Sequence, residues 1–126
     1  MKGRVLVVED DEDLCEELRE TLRGEGLEAE FAHSGRRGLE MAVNGRYDLV
    51  ILDLKLPGGG GLGVLRDLSG RDLAPPILVV TGRPMEGDLN RGDAEGLKHE
   101  ITELADGLIT KPFDVTQLLS SIRALL

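Results

Sequence analysis

The sequence predicts an alternating α/β fold: a doubly wound parallel sheet of five strands flanked by helices. Two observations carry that expectation. Five short strand-like runs recur along the chain, each separated from the next by a segment of helical period. That rhythm builds parallel sheets, because parallel neighbours need a right-handed crossover that is usually a helix. Four of the five runs are nearly free of polar residues, as strands covered on both faces must be.

The first strand is expected at Arg4 to Val8. Leu14, Leu18 and Leu22 then repeat every four residues and stop at Gly24 and Gly26, a helix with a glycine C-cap. Cys15 lies on the same stripe and reads as packing; as the chain's one cysteine it forms no internal disulfide. The second strand, Leu27 to Ala32, alternates apolar residues with Glu28 and Glu30, which marks an edge strand with one wet side. Leu39, Ala42 and Val43 make the second helix, stopped by Asn44-Gly45, again read as a glycine C-cap. Leu49 to Leu52 is the third strand, and Leu62, Leu65 and Leu68 mark the third helix behind Gly58 to Gly61, read as a flexible loop. The fourth strand spans Ile77 to Val80. Gly82 to Gly92, with only Met85 and Leu89 as apolar anchors, is expected to be a mobile loop before a helix marked by Leu97, Ile101 and Leu104. After a fifth strand at Gly107 to Thr110, Asp114 caps the last helix with Gln117 three residues on, and Phe113 can staple to Leu118.

With the second strand outermost, the strand order is 2-1-3-4-5, the flavodoxin-like order. Ligands then bind outside the carboxyl ends of the strands, where the first and third strands are adjacent. VLVV runs into Glu9-Asp10-Asp11, LVIL into Asp53, ILVV into Thr81 and LIT into Lys111-Pro112. Glu9, Asp10 and Asp53 would share one pocket with a hydroxyl and an ammonium. Packed carboxylates repel, so a cation must hold them charged, either Lys111 or a metal. Asp11 and Asp13 read instead as the acidic start of the first helix.

Bulk properties narrow the function. At 126 residues the chain fits a single domain, 1–126, with a core that needs no disulfide. A formal net charge of −9 repels a phosphate backbone, so direct nucleic-acid binding is not expected. Met-Lys-Gly-Arg leads straight into VLVV, too short for a signal or a membrane span, and the cytoplasm is the expected location, without membrane partners. Gly58 to Gly61 is followed by no Gly-Lys-Ser/Thr, which excludes a P-loop. Arg91-Gly92-Asp93 is a chance tripeptide, and His33 and His99 lack metal-ligand spacing and read as surface or turn residues.

Four segments, VLVVEDDEDL, DLVILDLKLPGGGGLGVL, PPILVVTG and ADGLITKPFD, together resemble the receiver domains of two-component response regulators, in the family's order and near its spacing. The likeness covers essentially the whole chain. It implies a signalling phosphoacceptor, not an enzyme in the ordinary sense, with Asp53 taking a phosphoryl group from the phosphohistidine of a sensor histidine kinase or a phosphotransfer protein. It further implies Mg2+ bound by Asp10, Asp53 and the backbone carbonyl of Lys55, with Glu9 reaching the ion through water. Thr81 and Lys111 would grip phosphoryl oxygens, and the Lys111-Pro112 bond would be cis. Thr81 and Leu108 would be the switch positions, and Lys55 and Arg83 would tune hydrolysis. An unknown output domain or protein would read the phosphorylated form. The face made by the fourth helix, fifth strand and fifth helix is where the family dimerises or docks partners, which allows a homodimer here.

The chain departs from the family pattern in three places. Gly60 stands where an acidic residue is common, Leu108 stands where an aromatic switch residue is usual, and the stretch from Thr81 to Lys111 is longer by about two helical turns. Two other readings are weaker. A haloacid-dehalogenase-like phosphatase would carry its nucleophile on the first strand with an Asp two residues later, whereas here Lys55 stands two residues after Asp53. A degenerate receiver used only for binding would not need the intact Glu9, Asp10, Asp53, Thr81 and Lys111 set.

Overall fold

The five strand-like runs form one parallel sheet in the order β2-β1-β3-β4-β5. The computed structural model describes residues 1–56, 60–82 and 91–126. Its elements are β1 (Arg4–Val8), α1 (Glu12–Gly24), β2 (Glu28–Ala32), α2 (Gly35–Asn44), β3 (Leu49–Leu52), α3 (Gly60–Ser69), β4 (Ile77–Thr81), α4 (Arg91–Leu104), β5 (Gly107–Thr110) and α5 (Val115–Leu125).

Alternation along the strands divides the core into two layers, since successive side chains point to opposite faces. Leu6, Val8, Val50, Leu52, Ile77 and Val79 pack on one face with Ala42, Val64, Leu65, Leu68 and Ile101 from α2, α3 and α4. Val5, Val7, Leu49, Ile51, Leu78, Val80 and Ile109 pack on the other with Leu18 and Leu22 of α1 and Leu118 and Ile122 of α5. Each such side chain contributes about 1.5–3 kcal/mol by leaving water, so both layers are needed to hold the sheet. β2 is the expected edge: Glu28 and Glu30 are exposed, and Arg4 of the neighbouring strand pairs with both.

The ends of the helices follow local chemistry. Asp11 caps α1 by accepting from Leu14 N at 3.1 Å, and Asp114 caps α5 by accepting from Gln117 N at 2.7 Å. At the end of α1, Gly26 has φ +82°, its N–H donates to Arg23 O and that of Leu27 to Leu22 O. This is a Schellman cap, and the left-handed residue is Gly26, while Gly24 belongs to the helix.

Two expectations, both of loops, are corrected, while a third stands: Gly45 is the C-cap of α2, with an extended backbone, φ −103° and ψ −179°. What requires glycine there is space, because a Cβ would lie 2.7 Å from the Tyr47 ring and 2.9 Å from Met41 O. Gly60 and Gly61 are not loop residues but the first turn of α3; a Cβ on Gly61 would lie 2.3 Å from Leu54 O, so its lack of a side chain lets the helix dock on the chain after β3. Arg91 and Gly92 likewise open α4. The rest of the expected 82–92 loop after Gly82, including Arg83, and the Pro57 to Gly59 stretch lie outside the described residues.

Candidate functional site

Strand register builds the site. Val8 pairs with Leu52 and with Ala32, so the residues that follow, Glu9, Asp53 and His33, emerge side by side at the carboxyl edge of the sheet. The backbone continues the ladder there: Glu9 N donates to Ala32 O at 2.9 Å, Asp53 N to Val8 O at 3.0 Å and Lys111 N to Thr81 O at 2.7 Å. The Lys111-Pro112 bond is cis.

Among the described residues, Glu9, Asp10 and Asp53 form a carboxylate cluster in which one oxygen from each lies within 4.8 Å of the others. Glu9 and Asp53 are buried, 3 % and 5 % exposed, while Asp10 faces solvent. Lys111 bridges the two buried acids, its Nζ 2.5 Å from Glu9 Oε1 and 3.3 Å from Asp53 Oδ2. The remaining oxygens are occupied by backbone. Glu9 Oε2 accepts from the N–H groups of Asp10 and Asp11 at 2.9 and 3.2 Å, and Asp53 Oδ1 from that of Lys55 at 3.0 Å. Burial alone would lower the proton affinity of the Lys111 ammonium. The hydrogen bond to Glu9 and the charge of Asp53 outweigh it and hold the group above the usual lysine range.

Thr81 is the last residue of β4, at the same carboxyl edge of the sheet, where its carbonyl accepts from Lys111 N. Its Oγ1 is buried and has no hydrogen-bond partner among the described residues. Among the described residues, three acidic side chains face one ammonium, a formal excess of two negative charges that one divalent cation would balance. An all-oxygen set of this kind suits a hard ion such as magnesium over a softer metal, and an unpartnered buried hydroxyl suits an incoming acceptor oxygen. The residues present therefore fit a metal and an oxyanion together.

The other expected positions are more peripheral. The side chains of Lys55 and Leu108 are exposed, Leu108 by 41 %. Cys15 is buried against the core, and burial with the nearby charges of Glu9 and Asp11 pushes its thiol up to about 11, as packing use requires. One neighbour was missed. His33, read as a surface or turn residue, places Nδ1 3.1 Å from the main-chain oxygen of Glu9 and 4.0 Å from Cys15 Sγ. His99 pairs with Glu103 on α4.

Fold and pocket together define a class: a flavodoxin-like sheet with an acidic cluster at its switch point that could bind a metal. The chain belongs to the response regulator receiver domain family, whose model matches residues 5–123, and is thus a receiver module of two-component signalling and not a classical enzyme. It is 39 % identical over 128 residues to the uncharacterized transcriptional regulatory protein YkoG of Bacillus subtilis, covering 99 % of this chain and 51 % of that protein. The chain spans about half the length of the curated relatives it matches. Among solved structures it is similar to response regulator protein TrrA of Thermotoga maritima in complex with Mg(2+)-BeF, with TM-score 0.80, 32 % identity and all of both chains covered. It is also similar to TrrA in complex with histidine kinase ThkA, with TM-score 0.76, 32 % identity, and 100 % of this chain and 99 % of that one covered. Among the described residues, no helix is long and apolar enough to cross a membrane.

Proposed function

We propose that Asp53 accepts a phosphoryl group from the phosphohistidine of a sensor histidine kinase or phosphotransfer protein, and that the phosphorylated domain then binds its output partner. The observation that carries this reading is the Asp53 side chain, buried yet paired with Lys111, in a pocket with two further acids. A bond forms between an Asp53 oxygen and phosphorus as the bond from phosphorus to the histidine nitrogen breaks, the electron pair leaving on the imidazole. Phosphoryl transfer asks a protein chiefly for positioning and charge stabilisation. Bound magnesium supplies neutralisation of the transferring group, and Asp10, Asp53 and the Lys55 carbonyl would hold it, with Glu9 reaching it through water. Glu9 suits that outer place because its oxygens are already engaged by Lys111 and two backbone N–H groups. Lys111 brings a fixed positive charge to a phosphoryl oxygen, and the Thr81 hydroxyl donates to another, gaining the partner it lacks. The likeness to a magnesium-beryllofluoride complex and to a kinase-bound response regulator supports both the ion and the donor.

The test is labelling with a small phosphodonor. Incubated with acetyl phosphate and Mg2+, the protein should gain the mass of one phosphate, and EDTA or Asp53→Asn should abolish the gain. Labelling of a folded Asp53→Asn variant would refute the assignment.

A further inference from the structure

We infer that His33 is a positioning residue for the ion site: it fixes the Glu9-Asp10 peptide and so aims the Asp10 carboxylate. The inference rests on the metal-binding reading of the cluster proposed above.

One peptide unit joins Glu9 to Asp10, and both of its polar groups are held. Its N–H, on Asp10, donates to Glu9 Oε2 at 2.9 Å. Its carbonyl oxygen, on Glu9, lies 3.1 Å from His33 Nδ1 and 3.5 Å from Cys15 Sγ. A carbonyl can only accept, so an approach of 3.1 Å places a hydrogen on Nδ1, and His33 is the donor. The Cys15 thiol, at 3.5 Å, supplies a second and weaker donor to the same oxygen.

With both ends of the peptide bonded, its plane cannot rotate. That plane fixes the N–Cα bond of Asp10, and the next N–H, on Asp11, is held by the same Glu9 Oε2 at 3.2 Å, so the Cα–Cβ direction of Asp10, the one acid of the cluster that faces solvent, is fixed from both sides. Glu9 and Asp53 are held by Lys111 and by burial, but Asp10 depends on its backbone for direction. β2 thus serves the site although it contributes no acid. Its last residue, Ala32, accepts from Glu9 N at 2.9 Å, and the next, His33, donates to Glu9 O. Removing partners of this outer kind typically weakens metal affinity about 10- to 100-fold.

Two measurements test this. In metal-free protein, nitrogen NMR of the imidazole, assigned with the help of a His99→Gln variant, should show hydrogen on His33 Nδ1; an unprotonated Nδ1 beside a protonated Nε2 would overturn the inference. Calorimetric titration with Mg2+ should then show His33→Ala binding about tenfold more weakly than the wild type. His33→Asn, whose amide nitrogen can take the place of Nδ1, should recover most of the loss, while thermal unfolding in EDTA reports any general loss of structure. Equal Mg2+ affinity in wild type and His33→Ala, or a loss that Asn does not rescue, sinks the role of His33 and leaves the ion site standing. If the wild type itself binds no Mg2+ at millimolar concentration, the metal-binding reading fails and this inference falls with it.

Discussion

Replacing Lys111 with methionine keeps the apolar stem and removes only the charge. In the native protein the ammonium lies 2.5 Å from one buried carboxylate and 3.3 Å from another. At an effective dielectric of about 20 these separations correspond to gross attractions of about 7 and about 5 kcal/mol. Desolvation of the three groups offsets most of that sum, and deleting one partner of a buried pair generally costs about 3–5 kcal/mol. The Lys111 side chain is one quarter exposed, so the lower end applies, about 3 kcal/mol. Urea unfolding in EDTA should show this as a lower midpoint at unchanged slope. Added Mg2+ should raise the midpoint more for the variant than for the wild type, because the ion takes over the neutralisation and stabilises by mass action. The alkaline limb gives a second check. A lysine held above its ordinary value of 10.5 contributes fully below that pH and loses its contribution as the pH climbs through its folded value. The gap between wild type and variant should therefore be constant up to about pH 10 and close above it. A Lys111→Met protein as stable as the wild type in EDTA at neutral pH would refute the view that this ammonium holds the carboxylate cluster together.

Further outcomes follow from burial and crowding. Cys15, with its thiol pushed up to about 11, should resist iodoacetamide at pH 8 in the native protein and react on unfolding; equal rates in both states would contradict its placement. On α3, Gly63 is exposed with nothing within 4 Å of a Cβ, so Gly63→Ala should stabilise by about 0.5–1 kcal/mol. Gly61→Ala, whose Cβ meets the Leu54 backbone, should cost at least about 2 kcal/mol; equal effects at the two sites would show that α3 does not pack as described. Lys55 and Arg83, two residues past Asp53 and Thr81, should shield an aspartyl phosphate from water, so the double alanine variant should lose its phosphate faster, and an unchanged lifetime would remove both from that role.

Much of this geometry was legible in the chain because its signals are local. Apolar runs closed by Glu9, Asp53, Thr81 and Lys111 mark strand ends without any knowledge of neighbours, and the alternation in β2 declares an edge. Asp114 with Gln117 declares a cap in the same way. What escaped depends on three-dimensional packing that no local pattern announces. Gly45 and Gly61 look like ordinary turn glycines, yet Gly61 is dictated by the close passage of Leu54 and Gly45 by that of Tyr47. His33 gives no spacing signal at all. It reaches Glu9 only because the β1–β2 register pairs Val8 with Ala32, and a shift of one residue would turn its side chain to the other face.

The buried hydroxyl of Thr81 sets stability against use. An unpartnered group of this kind costs about 1–3 kcal/mol, whereas valine has nearly the same shape and no such penalty. A selection for thermal resistance alone would thus favour valine at position 81, at the expense of the proposed oxyanion contact. On that proposal, part of the affinity for a phosphoryl oxygen would be stored in the resting protein as forgone stability and released when the acceptor arrives. Sequence redesign guided only by packing would erase that reserve while improving every conventional measure of the fold.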